Sequence, residues 1–352
     1  MLLNTLPIMA LAGTALAACP ISVEVSSAED HIAQVAVTNT GNETLTVFKG
    51  NTVFTDHATR DLLVSDESGN ALPFEGIYVN YKRTGLVPEM FQTILPGETI
   101  TASVNAAKCY RLAGVKTAKV SVIQGFRYVT GAVAPTDLKG AAYCEATSSG
   151  TVDMTPDQAK VASEHISNRS PSANSRINKR AVTYSGCSAA QTASLTTSVN
   201  NAISMATAAY TAAGTAAFYF TTWFKSTDQE TKVRSIYNSV QGVGATAPKI
   251  YCNDQWNQCG GGYASLYSSP SDNAIVPCPN NGFWSWDELS PSCVDFDFDR
   301  AGAVLHEMTH LFGTGDYGYG PVAAKALSAT QASANADSYE MYAGSVRLGG
   351  CN

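Results

Sequence analysis

The chain of 352 residues is longer than one average domain, so two domains plus processing segments are expected. Apolar residues make up 45 % and charged residues 14 %, which suits core-forming protein and excludes long disorder. The formal charge of −7 excludes a nucleic-acid partner recognised through a basic surface.

The N-terminus runs through the apolar stretch Ile8-Met9-Ala10-Leu11 to small residues of the A-x-A type, Ala15-Leu16-Ala17. This predicts a secretory signal peptide over residues 1–18 and a secreted, extracellular protein. No later run is long and apolar enough for a membrane span. Leu16-Ala17-Ala18 before Cys19 also fits a lipoprotein box, which the processing site described next disfavours.

Residues 19–150 carry short period-two runs such as Ile21-Ser22-Val23-Glu24-Val25 and Thr44-Leu45-Thr46-Val47-Phe48, punctuated by turns such as Pro96-Gly97-Glu98. A β-sandwich-like pro-domain is expected there. Residues 151–180 hold mostly Thr, Ser, Asn, Pro and Arg and read as a linker. It ends in Lys179-Arg180, a dibasic pair suited to a kexin-type processing protease. The cut would release residues 181–352. In that segment the spacing predicts helices over 188–213, 215–240, about 300–312 and about 334–346. A Gly- and Cys-rich stretch, 250–295, reads as loops with a few short strands.

Nine cysteines fit an oxidising compartment. Cys19, Cys109 and Cys144 precede the dibasic pair; Cys187, Cys252, Cys259, Cys278, Cys293 and Cys351 follow it. Six is even and suits bridges, with the pairing open at this point. The odd cysteine of the first half admits a thiolate that caps a metal until cleavage.

His306-Glu307-Met308-Thr309-His310 carries the chemistry. On a helix, positions i and i+4 point the same way, so the two imidazoles can grip one Zn²⁺. Glu307 then lies beside the metal, placed to take a proton from a water. The apolar run Ala301-Gly302-Ala303-Val304-Leu305 buries this helix. All other histidines, His31, His57 and His165, lie before the cleavage site. The third ligand is therefore a carboxylate. Asp316, in Gly313-Thr314-Gly315-Asp316-Tyr317-Gly318-Tyr319-Gly320, is the nearest, and its glycines let the chain turn back sharply.

These two motifs, with the stretch Asn335-Ala336-Asp337-Ser338-Tyr339-Glu340-Met341-Tyr342-Ala343 and the six late cysteines, resemble the deuterolysin family, the aspzincin endopeptidases. The resemblance covers residues 181–352. It implies an α+β protein: a mainly helical zincin-type catalytic domain with a small β-sheet, preceded by the pro-domain. It implies a fungal secreted zymogen acting on protein or peptide substrates. One zinc would be held by His306, His310 and Asp316, with Glu307 as general base and Tyr319 stabilising the oxyanion. It further implies bridges Cys187–Cys252, Cys259–Cys278 and Cys293–Cys351.

Asp337 and Glu340 share a helix face, and residues 181–352 hold 13 acidic residues against 7 Lys and Arg. Related peptidases use such a pair to bind a basic residue after the cleaved bond, so basic substrates are expected. Two rival readings stay open. H-E-x-x-H-x-x-G-x-x-D also fits a metzincin-like protease with an Asp third ligand and a turn at Met341. A secreted, non-catalytic zinc-binding protein would carry the same ligands without needing Glu307.

Overall fold

The structure is a computed structural model that describes residues 19–166, 182–215, 219–243, 247–293 and 299–351. The expected signal peptide and the Lys179-Arg180 site lie outside the described residues. The protein is mixed α/β, with several small sheets.

The period-two runs of the first half fold as strands β1 (Ile21–Glu29), β2 (Ile32–Asn39), β3 (Leu45–Phe48), β4 (Leu62–Asp66), β5 (Tyr78–Tyr81), β6 (Phe91–Ile94), β7 (Thr99–Asn105), β8 (Ala118–Val122), β9 (Gly125–Thr130), β10 (Ala142–Glu145), β11 (Thr147–Ser149) and β12 (Val152–Met154). Alternation decides which face is buried: Ile21, Val23 and Val25 point inward while Glu24 is exposed. Three sheets form where a two-sheet sandwich was expected: β11-β1-β2-β7, β10-β9-β3-β6 and β12-β8-β4. They close on one apolar core that includes Val35, Val47, Val64, Val120 and Phe126.

The third sheet, founded on the β4–β8 pair, gains its third strand because part of the expected linker is folded. β12 pairs antiparallel with β8, Val152 opposite Val120. A helical turn, α1 (Val161–Glu164), follows it. Glu164 Oε2 is hydrogen-bonded to His31 Nε2 at 2.7 Å and accepts from Asn105 Nδ2 at 2.6 Å. Linker composition was misleading here because two apolar residues, Val152 and Met154, suffice to seat a short strand on a buried face.

In the second half, β13 (Thr183–Ser185), β14 (Lys249–Tyr251), β15 (Ala264–Ser269) and β16 (Ala274–Pro277) form a sheet of order β13-β14-β16-β15-β5. β13, β14 and β16 run parallel; β15 runs antiparallel to β16. Its outer strand, β5, comes from the first half and pairs antiparallel with β15, Tyr78 opposite Ser268 and Val79 opposite Tyr267.

The helices are α2 (Ala189–Ala213), α3 (Phe220–Phe224), α4 (Glu230–Gln241), α5 (Arg300–His310), α6 (Gly320–Ala326), α7 (Ala329–Ala332) and α8 (Ala336–Leu348). Ser188 and Gln191 form a capping box that starts α2. Its buried Ala202, Ala206 and Ala209 let α4, α5 and α8 approach closely. The helix expected over 215–240 is broken. Lys225 takes φ 65°, and the Ser226 hydroxyl accepts from Asp228 N at 3.2 Å. That local side-chain bond competes with helix propagation and starts a new turn. Helix α5 is buried from Ala301 through His310, which is what an apolar run around the whole helix requires. Asp299 caps it, accepting from Gly302 N at 2.6 Å.

Disulfides join Cys187 to Cys252, Cys259 to Cys278, and Cys293 to Cys351. A fourth joins Cys19 to Cys144, so the Cys19 sulfur is not a lipid attachment point. The Cys187–Cys252 bridge closes a loop with sequence separation 65. By loop entropy, replacing both cysteines with serine should lower stability by about 4 kcal/mol, read as a fall in the urea midpoint. An unchanged midpoint would show that the bridge adds nothing.

His57 stands beside the end of β5, its Nδ1 2.9 Å from the Tyr81 hydroxyl. Burial pushes its pKa from 6.5 down to about 4; Asp56 and Asp254 pull it up, and Lys108 adds to the fall. The unfolded chain therefore binds the proton first as pH drops. Stability tied to neutral His57 is present above pH 6.5 and is lost as pH falls toward about 4. The loss approaches 2 to 3 kcal/mol, and a His57→Gln variant should flatten it, with urea melts at pH 7 and pH 4.5 as the measurement. Parallel losses in both proteins would assign the pH effect elsewhere.

Candidate metal centre

Helix α5 presents His306 and His310 on one face, with the Nε2 atoms 3.0 Å apart. The chain then turns at Gly313, whose φ of 100° a side chain would resist. The loop returns Asp316 to the histidines: its Oδ1 lies 3.4 Å from His306 Nε2 and 3.2 Å from His310 Nε2. Three donor atoms thus form a triangle with edges of 3.0 to 3.4 Å. Ligands on tetrahedral arms of ~2.0–2.1 Å stand ~3.3 Å apart, so a zinc-sized ion fits this set. Asp316 Oδ1 is buried with no hydrogen-bond partner, an acceptor set towards a cation.

The other nitrogen of each imidazole faces oxygen, at hydrogen-bond geometry for His310 and at ion-pair distance for His306. His310 Nδ1 lies 3.2 Å from the Thr314 carbonyl oxygen, so it donates there and leaves Nε2 free as a ligand. His306 Nδ1 lies 3.3 Å from both Asp337 Oδ1 and Glu340 Oε2. Burial would lower the His306 pKa, but the carboxylates of Asp316, Asp337 and Glu340 outweigh it and raise it. Burial would raise that of Asp316, but His310 and His306 outweigh it and hold its carboxyl well below the usual range.

Glu307 is fully buried, and neither of its oxygens has a partner at hydrogen-bond distance. Burial lifts its pKa to about 7, with His306, His310 and the nearby Ser268 hydroxyl opposing. Such a carboxyl can both accept and return a proton near neutrality. Tyr319 reaches the same place from the start of α6. Its hydroxyl is directed at Asp316 Oδ2 and at the Val79 carbonyl oxygen. Burial and the Asp316 charge push its pKa well up, so it stays a proton donor.

The loop bearing Asp316 and Tyr319 is pinned on two sides. Asn335 Oδ1 accepts from Tyr317 N at 2.9 Å and Gly318 N at 3.1 Å. From the first half, Arg127 Nη1 donates to the Tyr319 carbonyl at 2.6 Å, and the Tyr143 hydroxyl donates to the Tyr317 carbonyl at 2.6 Å.

All residues singled out around the motif therefore meet at one place, but Asp337 and Glu340 do not line an open pocket. Both are 1 % exposed, packed behind His306. Arg83 Nη2 covers them, 2.8 Å from Asp337 Oδ1 and 3.9 Å from Glu340 Oε2. Gly302 is needed at this spot, because a Cβ there would come within 3.1 Å of Glu340 Oε1 and 2.8 Å of Asp299 Oδ1. Arg83 and Tyr78 were not anticipated. The Tyr78 ring lies flat on His310, centroids 4.2 Å apart and planes at 8°. Their sequence signal, a strand-like run before Lys82-Arg83, says nothing about which sheet the strand joins.

Two expectations are corrected here. The free cysteine is Cys109, buried with its thiol 3.6 Å from the Thr59 carbonyl oxygen. Burial pushes its pKa far up, and no cysteine belongs to a metal-ready group among the described residues. The thiolate cap is therefore excluded. Met341 lies within helix α8, so it forms no turn beneath the ligands and the metzincin-like reading loses its distinguishing feature.

Residues 2–350 match the model of the deuterolysin metalloprotease (M35) family. The chain belongs to the deuterolysin family. It is 32 % identical to a neutral protease 2 homolog of Sclerotinia sclerotiorum over 94 % of this chain and 90 % of that one. It is 31 % identical to a neutral protease 2 homolog of Phaeosphaeria nodorum, over 94 % and 91 %. A third, from Botryotinia fuckeliana, is 29 % identical over 94 % and 92 %. Like the family, this deuterolysin is a zinc metalloendopeptidase whose substrates are proteins or peptides. Among its described residues, no helix is long and apolar enough to cross a membrane.

Proposed function

We propose that this deuterolysin is secreted as a zymogen and that residues 181–352 are its endopeptidase, released by a kexin-type cut after Lys179-Arg180. His306, His310 and Asp316 hold the zinc. The observation that carries the reading is their convergence beside a buried carboxylate, Glu307, with no partner of its own. Pairing of all six late cysteines among themselves supports a self-contained 181–352 unit. Four disulfides support an oxidising, extracellular destination.

When bound, the zinc ion supplies Lewis-acid polarisation of a carbonyl and a lowered pKa for water. The chain's own residues do the rest. Glu307 takes the proton of the attacking water and passes it to the leaving amine nitrogen. The Tyr319 hydroxyl donates to the carbonyl oxygen as that oxygen gains charge. Asp337 and Glu340 keep the Nδ1 proton on His306 so that Nε2 stays a ligand. The same two carboxylates favour substrates with a basic residue after the cleaved bond.

Casein hydrolysis tests the reading. Protein cut after Arg180 should digest casein, lose that activity to a chelator and regain it with zinc. Peptide-library products should be enriched in Lys or Arg after the cut. Chelator-resistant hydrolysis would overturn the metallopeptidase assignment, and unbiased products would remove the basic preference.

A further inference from the structure

The first half of the chain inserts a strand and a cation into the metal centre, and neither is explained by the fold of that half. Without β5, strand β15 would be the free edge of a four-stranded sheet, a ready template for an added peptide strand. β5 takes that position antiparallel, with a bulge between Ala264 and Leu266. Three contacts then follow along the segment. Tyr78 covers the flat face of His310. The Val79 carbonyl oxygen accepts from the Tyr319 hydroxyl, the group assigned above to a substrate's carbonyl. Arg83 enters the carboxylate pair Asp337 and Glu340.

We propose that residues 78–83 occupy the substrate cleft in place of a substrate, β5 adding to the β15 edge while Arg83 plugs the acidic pocket of Asp337 and Glu340. The proposal rests on the metallopeptidase reading and adds how that site is silenced and what it recognises. The segment is fastened at both ends to the first half: Ile77 N donates to the Ala58 carbonyl at 2.9 Å, and Leu138 N to the Arg83 carbonyl at 2.9 Å. Between them Lys82 N donates to the Tyr263 carbonyl of the second half at 2.9 Å. It is therefore a strap built into the folded first half and laid on the second. Arg83 is 6 % exposed, so its charge is almost wholly withdrawn from water and matched by Asp337 and Glu340. Once residues before the Arg180 cut leave, those carboxylates lose their cation beside His306. The replacement of matching charge is a Lys or Arg side chain of an incoming peptide, bound as a strand on β15.

The strap differs from a substrate in one respect. Val79 carries the carbonyl on Tyr319, but the cation comes from Arg83, four residues on and beyond the end of β5. Strand and cation are thus two separate holds, and each can be removed separately.

The test uses the full precursor carrying Arg180→Ala to block processing, with zinc content measured throughout. Uncut precursor should be silent on a quenched Lys-containing peptide. Adding Arg83→Met should raise its activity by about tenfold or more, since one partner of a buried ion pair is gone. Arg83→Met in the processable chain yields the same released enzyme, so activity after cleavage should equal wild type. A synthetic peptide of residues 76–85 should inhibit the released enzyme competitively, and its Arg83→Met version about tenfold more weakly. That peptide measurement decides the matter if the variant precursor fails to fold. Equal silence of both uncut precursors beside an active released enzyme, or equal inhibition by the two peptides, overturns the strap. Inactivity of the released wild-type enzyme as well would overturn the peptidase reading, and the strap with it.

Discussion

Replacing Glu307 with Gln should leave zinc binding intact and reduce casein hydrolysis by about 10²–10⁴-fold, the usual worth of a positioned general base. The expectation rests on three features of the residue. It is next to His306 in sequence yet absent from the triangle of ligand atoms, so an amide there removes no metal ligand. Burial raises its pKa to about 7, which gives the carboxyl the proton affinity that an amide lacks. Gln has nearly the same shape, so the packing of α5 should hold. Zinc content by metal analysis and initial rates on casein, measured on the same sample, check both halves. Full activity in the variant would falsify the role; loss of zinc would instead make Glu307 a part of the metal-holding structure.

Asp316→Asn should do the reverse, removing the zinc itself. Deleting a group that merely orients a ligand costs about 10–100-fold in metal affinity, and loss of a charged ligand should exceed that. Asp316 Oδ1 faces both Nε2 atoms at 3.2 and 3.4 Å and has no other partner. The neutral amide also removes the charge that raises the His306 pKa, so a proton competes better with the metal in the wild-type frame and less in the variant. The two effects oppose one another, but direct coordination is the larger, because the metal then keeps only two protein ligands. Competition with a zinc-binding dye and residual activity give the readouts. An Asp316→Asn enzyme that held zinc as tightly as wild type would exclude Asp316 as a ligand.

The two effects separate two jobs that lie nine residues apart in one helix–loop segment. In the proposed mechanism Glu307 moves protons and Asp316 completes a cage. Their environments differ in which influence wins. Asp316 sits between two imidazoles that outweigh its burial and hold it charged, whereas at Glu307 burial outweighs His306, His310 and the Ser268 hydroxyl and leaves it near its titration point.

Much of this was legible from residues alone. His306 and His310 share a face because the helical period demands it, and Gly313 must turn because only glycine takes that backbone angle at no cost. The absence of any later histidine left a carboxylate to complete the set, and Asp316 was near enough for its loop to return it. Alternation of apolar and polar residues marked the early strands, since burial on one face is a local pattern. Helix α2 declared itself through Ser188 and Gln191, a capping box that needs no tertiary partner.

Other features depended on pairings that no local pattern encodes. Val152-Asp153-Met154 reads as linker until β8 offers it a ladder. Tyr78-Val79-Asn80-Tyr81 alternates like any strand, and only the three-dimensional arrangement assigns it to the sheet of the second half. Asp337 and Glu340 read as an acidic pair on one face of the last helix, open to a basic substrate residue. Packing of α8 against α5 instead turned them to His306, and a guanidinium from residue 83 closed over them. Sequence by itself determined the chemistry of the metal centre, because ligand type and helical spacing are properties of a few neighbouring residues. Tertiary structure alone decided what covers that centre, because strand pairing and a buried ion pair join residues more than 180 and 250 positions apart, where chain connectivity imposes no preference and only complementary edges and charges choose the partner.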